Sequence, residues 1–161
     1  MNLITRTPVL WALFGLTILV TAGFVLLAPM VGGQFLDSVA APAEAQALLA
    51  GMTPSERTAH FWITVLLDTA YPFAYGLFFA GMAWRFFGKW GPIAAIPSFA
   101  VMIVDLTENT LQALSLSGAA NVLDPKGWIT PLKFNLFYLA ALIALVALGI
   151  ALFRMVRKPK A

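Results

Sequence analysis

Residues 92–115 have the sequence PIAAIPSFAVMIVDLTENTLQALS, an apolar run that carries Asp105, Glu108 and Asn109. The run is long enough for a helix that crosses a bilayer, since about 20 helical residues span the hydrocarbon core. An ionised acid at the centre of such a helix costs about 2.5–3.5 kcal/mol on insertion scales. These side chains therefore need partners inside a bundle, and the run predicts a polar site within an all-α integral membrane protein.

The composition of the whole chain also favours a membrane protein. Of its 161 residues, 61% are hydrophobic and 11% are charged, a balance far from that of soluble proteins. The net charge of +3 does not indicate a nucleic-acid partner, because the basic residues concentrate at the ends of the apolar segments. The chain has no cysteine, which excludes disulfides, thiolate metal sites and thiol nucleophiles.

Four apolar segments predict a bundle of four transmembrane helices in one domain, residues 1–161. The predicted helices cover about residues 8–30, 54–87, 92–115 and 131–155. The first segment has an apolar core longer than the roughly 7–15 residues of a signal peptide, so we predict a retained helix. Outer loops at about 31–53 and 116–130 join the helices, and the first loop is predicted to contain a short amphipathic helix.

Local sequence marks the ends of the predicted helices. Thr53-Pro54-Ser55-Glu56 has the spacing of a capping box, which predicts that the second helix starts there. Gly88-Lys89-Trp90-Gly91-Pro92 predicts a tight turn between antiparallel second and third helices. Asp124-Pro125-Lys126-Gly127 has the composition of a β-turn, and Thr130-Pro131 then predicts the start of the fourth helix.

The distribution of Lys and Arg predicts that both termini are cytoplasmic, because basic residues are retained on that side of the membrane. In a four-pass topology one side carries Arg6, Arg85, Lys89, Arg154, Arg157, Lys158 and Lys160. The other side carries only Arg57, Lys126 and Lys133. Tryptophans fall near both predicted interfaces, which supports the same topology. We therefore predict a multi-pass protein of the inner (plasma) membrane of the cell.

Two polar stripes are predicted to face each other in the outer half of the membrane. By helical spacing the third helix carries Asp105, Glu108, Asn109 and Gln112 on one face. By the same rule the second helix carries His60, Thr64, Asp68, Tyr71 and Tyr75. Asn135 and Tyr138 are predicted to enter this layer from the fourth helix. His60 is predicted to lie at the outer interface, and Lys133 to extend outward to water.

Pro72 predicts a local break in the second helix. Proline has no N–H, so the backbone carbonyl of Asp68 loses its helical partner. In a membrane such a carbonyl is tolerated only where protein or trapped water satisfies it. The sequence therefore predicts a free carbonyl beside the Asp68 carboxyl group.

We predict that the polar layer binds a lipid or another hydrophobic small molecule, or converts it by acid–base chemistry. Burial and neighbouring acids both disfavour the ionised form of a carboxyl group, so one acid could donate a proton. The candidate catalytic residues are Asp68, Asp105 and Glu108. The candidate ligand-binding residues are Tyr71, Tyr75, Asn109, Gln112, Asn135 and Tyr138.

Two other interpretations stay open at the level of sequence. Carboxylate, amide and backbone oxygens suit hard cations such as Mg²⁺, Ca²⁺ or Na⁺, or the acids could relay protons. A transporter of four helices would need to form a homo-oligomer. Alternatively, the polar layer could fix helix register in an assembly subunit. The sequence identifies neither a metal nor a cofactor, and it does not establish that the protein is an enzyme.

Overall fold

The computed structural model describes residues 3–157. It contains α1 (Thr7–Leu27), α2 (Pro42–Gly51), α3 (Pro54–Phe86), α4 (Ile96–Ser117) and α5 (Lys126–Val156). The all-helical prediction is confirmed, and α1, α3, α4 and α5 belong to four segments long and apolar enough to cross a membrane. Lys158 and Lys160, which contributed to the predicted topology, lie outside the described residues.

Two predicted helix boundaries are confirmed in atomic detail. The Thr53 hydroxyl accepts a hydrogen bond from the Glu56 N–H, and the Glu56 carboxylate accepts one from the Thr53 N–H at 2.8 Å. The turn between α3 and α4 uses Gly88, whose φ of 58° lies in the left-handed region. Gly91 then packs on the backbone of Trp84, where a Cβ atom would come within 2.7 Å of the carbonyl oxygen. The antiparallel hairpin of α3 and α4 therefore depends on these two glycines.

The start of the fourth long helix was predicted wrongly. Helix α5 begins at Lys126 rather than at Pro131, and Asp124-Pro125 alone forms the turn before it. Pro131 lies in the second turn of the helix, where its missing N–H removes one hydrogen bond but the helix continues. As a result Lys126, Thr130 and Lys133 stand at i, i+4 and i+7 on one helical face.

Helix α3 is the centre of the bundle and packs against α1, α4 and α5. Its contacts with α1 include Phe78 against Phe14, with ring centroids 5.5 Å apart. Against α5 it packs on a face where Ala140, Ala144 and Ala147 are buried, and small side chains there let the helices approach closely. This central position gives α3 side chains access to all three neighbouring helices.

The segment between α1 and α2 folds back over the end of the bundle opposite the turn between α3 and α4. Gly32 and Gly33, with φ of 73° and 85°, turn the chain, and a single 3₁₀ turn follows at Leu36–Ser38. Leu36 is fully buried in a cluster with Val39, Ala45, Leu116 and Leu123. The predicted outer loop is therefore a packed part of the fold, and its predicted short helix is α2.

Candidate functional site

The two predicted polar stripes converge inside the bundle. On α4, Asp105, Glu108, Asn109 and Gln112 are all buried. On α3, His60, Thr64, Asp68 and Tyr75 are buried and Tyr71 is half-buried. A direct contact joins the stripes, because the Tyr75 hydroxyl donates to Asp105 Oδ2 at 2.7 Å. The prediction that these side chains face one another is confirmed.

A cavity of about 160 Å³ lies where the stripes meet; we call it the acidic cavity. Its polar lining comes from Asp37, Asp68, Asp105 and Lys133. Its aromatic lining comes from Tyr71, Tyr75, Phe134 and Phe137. Of the predicted site residues, Asp68, Asp105, Tyr71 and Tyr75 line this cavity. Asp37 and Lys133 line it too, although the sequence had placed them elsewhere.

Lys133 is the central cation of the site. Its Nζ pairs with Asp37, with Glu108 Oε2 at 2.7 Å and with Asp105 Oδ1 at 3.7 Å. The prediction that Lys133 extends outward to water is wrong, since the residue is only 4% exposed. Without a counter-ion, three buried carboxylates would strongly destabilise the fold. The Lys133 ammonium group offsets much of that cost because it pairs with all three. The ammonium group also has three donors to share among them.

Lys126 forms a second buried ion pair. This pair was not predicted from the sequence, because the predicted β-turn places Lys126 outside the fourth helix. Its Nζ pairs with Glu108, and both side chains are 0% exposed. The Thr130 hydroxyl donates to the same carboxylate oxygen. The detectable signal was the spacing of Lys126, Thr130 and Lys133, which places them on one face once the helix is continued through Pro131.

The three candidate catalytic acids therefore occupy two different environments. Glu108 is held by Lys126, Thr130 and Lys133 and does not line the acidic cavity. Asp105 lines the cavity and accepts the Tyr75 hydrogen bond. Asp68 lines it as well, and its carboxyl group has no hydrogen bond or ion pair to any residue in the range 3–157. Asp68 is therefore the acid available to a ligand.

The backbone at Asp68 explains how this acid is positioned. Residues Thr64–Asp68 form a single π-helical turn, a distortion that often occurs at functional sites. The Asp68 carbonyl, which Pro72 deprives of its helical donor, accepts a hydrogen bond from Asn109 Nδ2 at 2.8 Å. Protein therefore satisfies the carbonyl, so it is not a free ligand atom for a cation.

Asp37 is a site residue that sequence reasoning missed. It comes from the 3₁₀ turn between α1 and α2, and its carboxylate reaches Lys133 across 96 residues of sequence. Gln112 Nε2 also lies 3.5 Å from Asp37 Oδ1. The available signal was an acid directly after the apolar pair Phe35-Leu36 in a predicted outer loop.

Four predicted ligand-binding residues do not line the acidic cavity. Asn109 and Gln112 are buried beside it and bind the Asp68 carbonyl and Asp37. The prediction that Asn135 and Tyr138 enter the polar layer is wrong. Asn135 is exposed and donates to the Pro131 carbonyl, and Tyr138 is 64% exposed. They follow Lys133 by two and five residues, which turns them to the opposite side of a helix with 3.6 residues per turn.

The charges of the cluster do not balance. Four carboxyl groups, those of Asp37, Asp68, Asp105 and Glu108, share the site with two ammonium groups, those of Lys126 and Lys133. If all were ionised, these six residues would carry a net charge of 2 − 4 = −2. An interior of low dielectric makes such an excess unfavourable. Protons or a positively charged ligand must compensate it.

A metal ion is not the natural occupant of this cluster as it stands. Carboxylate oxygens of Asp37, Asp105 and Glu108 lie within 4.8 Å of one another, which would suit a hard cation. However, Lys133 Nζ contacts all three residues. The ammonium group therefore already supplies the positive charge that a metal would bring.

No protein-family model matches the chain, and neither a curated protein nor a solved structure matches it. The function is therefore argued from the residues of the acidic cavity.

Proposed function

We propose that this chain is a multi-pass protein of the cell membrane with the acidic cavity in the outer half of the bilayer. The four long apolar helices support this, as do the apolar side chains that α1 and α5 leave exposed. Leu26 is 76% exposed and Leu145 is 64% exposed. Lipid rather than water is the favourable neighbour for such faces.

The location of the basic residues supports cytoplasmic termini. Arg6, Arg85 and Lys89 are exposed at the end of the bundle opposite the cavity. At the cavity end, Lys126 and Lys133 are withdrawn into the polar cluster. A membrane protein retains its accessible Lys and Arg residues on the cytoplasmic side, so the cavity end is assigned to the outside.

The acidic cavity binds a hydrophobic small molecule through a cationic group, such as an amine. One observation carries this proposal: Asp68 is a buried acid on the cavity wall without a partner among the described residues. A ligand cation would pair with Asp68 and reduce the excess negative charge of the cluster. The rings of Tyr71, Tyr75 and Phe137 line the same space and favour a cation over an anion.

The size of the cavity indicates which part of the ligand it holds. A volume of about 160 Å³ accommodates a head group and not a whole lipid. Phe134, which lines the cavity, is 36% exposed on the face of α5. The apolar remainder of the ligand therefore extends past Phe134 into the bilayer. Acid–base conversion of the ligand remains a prediction, with Asp68 and Asp105 as the groups that would exchange protons with it.

A matched pair of ligands tests this proposal. We expect a long-chain alkylamine to bind the purified protein in lipid nanodiscs, and the alcohol of equal chain length to bind much more weakly. Asp68→Asn is expected to weaken amine binding by about 10- to 100-fold, because it removes a charge-assisted hydrogen bond. Affinities are measured by calorimetry or by ligand-induced thermal stabilisation.

The control is Glu44→Gln, which removes an equally negative carboxylate from an exposed position on α2. This variant should bind the amine with unchanged affinity. Equal affinities for amine and alcohol, or equal losses in the two variants, would contradict a cation-binding cavity at Asp68.

The same unpaired acid favours one second candidate, the binding and transfer of protons or small cations. We expect this activity to appear as proton or cation flux into vesicles that contain the protein and to disappear in Asp68→Asn. Flux is measured with a pH-sensitive dye under an imposed gradient. A wild-type rate equal to that of empty vesicles would eliminate this candidate and leave ligand binding unaffected.

A further inference from the structure

His60 binds the backbone of the turn that carries Asp37, a residue of the acidic-cavity lining. The backbone N–H of Leu36 donates to His60 Nε2 at 3.3 Å, and the Phe35 ring packs edge-on against the imidazole with centroids 5.5 Å apart. His60 is 1% exposed, so its ring lies inside the bundle. Because Nε2 accepts this bond, the neutral ring carries its proton on Nδ1, which is buried without a partner in the described part of the chain.

Asp37, the next residue, lines the acidic cavity and is partly exposed at the surface of the bundle. Its side chain is 30% exposed and binds Lys133, whose side chain is 5% exposed. The Asp105 side chain behind it is 6% exposed. Asp37 is thus the most exposed carboxylate of the ion-pair cluster, and the position of Leu36 determines where it lies.

We propose that His60 is a positioning residue that keeps the Leu36–Ser38 turn closed over the acidic cavity, and that protonation of its imidazole opens the turn. The imidazolium form carries a hydrogen on both nitrogens, so Nε2 no longer accepts the Leu36 N–H. Asp37 then loses the hydrogen bond of the preceding backbone N–H, which positions its carboxylate against Lys133. The proposal concerns access to the site of the proposed function, but its test needs no ligand.

Two charged groups face the imidazole and modulate the opening. Asp37, on the turn itself, attracts the imidazolium, while Lys126, at the start of α5, repels it. The turn also depends on the ionisation of Asp37, Asp105 and Glu108 around Lys133. A test must therefore separate the imidazole from the carboxylates.

The absence of cysteine makes such a test direct. Phe137→Cys introduces a single thiol into the cavity lining, and its reaction with a charged, membrane-impermeant methanethiosulfonate reports access from water. Rates in nanodiscs are divided by those of Ser55→Cys, an exposed position, to remove the intrinsic pH dependence of the thiol. We expect the normalised rate to rise about tenfold as the pH falls from about 8 to about 4.

His60→Gln provides the matched control, because its amide oxygen can accept the Leu36 N–H at every pH. In that background we expect slow labelling throughout, whereas His60→Ala should label rapidly even at neutral pH. An acid-induced rise that persists in His60→Gln would assign the opening to the carboxylates and overturn the proposal. A wild-type rate that does not change with pH would overturn it as well, whether or not His60→Ala folds.

Discussion

Replacing Lys126 by methionine is expected to lower the free energy of unfolding by about 3–5 kcal/mol, the usual cost of breaking a buried ion pair. Lys126 and Glu108 are both 0% exposed, so no water can replace the lost ammonium group. Glu108 would keep only Lys133, which also pairs with Asp37 and Asp105. The excess negative charge of the cluster would grow by one.

A double-mutant cycle isolates the pair from its surroundings. Glu108→Gln alone leaves Lys126 buried without its carboxylate, and it should also be strongly destabilising. The double variant removes both charges, and its cost should fall below the sum of the single costs by about 0.5–3 kcal/mol. Unfolding in mixed micelles, monitored by circular dichroism against denaturing detergent, gives the three differences.

Lys89→Met serves as the control, because Lys89 lies exposed in the turn between α3 and α4. It should change stability little. If the loss of unfolding free energy in the double variant equals the sum of the two single losses, Lys126 and Glu108 do not act as a pair.

The architecture was predictable because it depends on short-range patterns. Hydropathy defined the four long segments, and the 3.6-residue period placed Asp105, Glu108 and Asn109 on the buried face of α4. The capping box at Thr53 and the glycines at positions 88 and 91 are likewise local signals. Each of these features involves residues within a few turns of one another, so one sequence is sufficient to find them.

The composition of the cluster was not predictable in the same way. Glu108 contacts Lys126 and Thr130, which lie 18 and 22 residues away, and Asp37 reaches Lys133 over 96 residues. No local period links such positions. The placement of Asp37 depends on how Leu36 packs beneath α2 and against the end of α4, which is a property of the completed fold.

A count of the charges in the sequence would have identified the two lysines of the cluster. Three acids predicted to share a membrane interior require counter-ions, and Lys126 and Lys133 were the nearest basic residues on the same side of the bundle. Treating Pro131 as the first residue of the helix hid this, because it left Lys126 in a turn. Because Lys133 faces the cluster, Asn135 and Tyr138 lie on the opposite side of α5 and face outward.

Replacing Lys133 by methionine is expected to turn Asp37, Asp105 and Glu108 into a binding site for Ca²⁺. Without added metal, the variant should lose about 3–5 kcal/mol of unfolding free energy, because three buried carboxylates lose their shared ammonium group. Their oxygens lie within 4.8 Å of one another. Two ligands on opposite sides of a calcium ion are about 4.6–5.2 Å apart, so little rearrangement is needed.

Calcium should therefore stabilise Lys133→Met and leave the wild-type protein unchanged. At a concentration of about 100 times the dissociation constant, the gain is about 2.7 kcal/mol, and it is measured as a metal-dependent shift of the unfolding curve. Adding Asp37→Asn to the variant should remove most of that gain, since the site would lose one of its three carboxylates. Equal stabilisation of the wild-type protein would show that Lys133 gives way to a metal, and the cation interpretation would then replace the ligand-binding one.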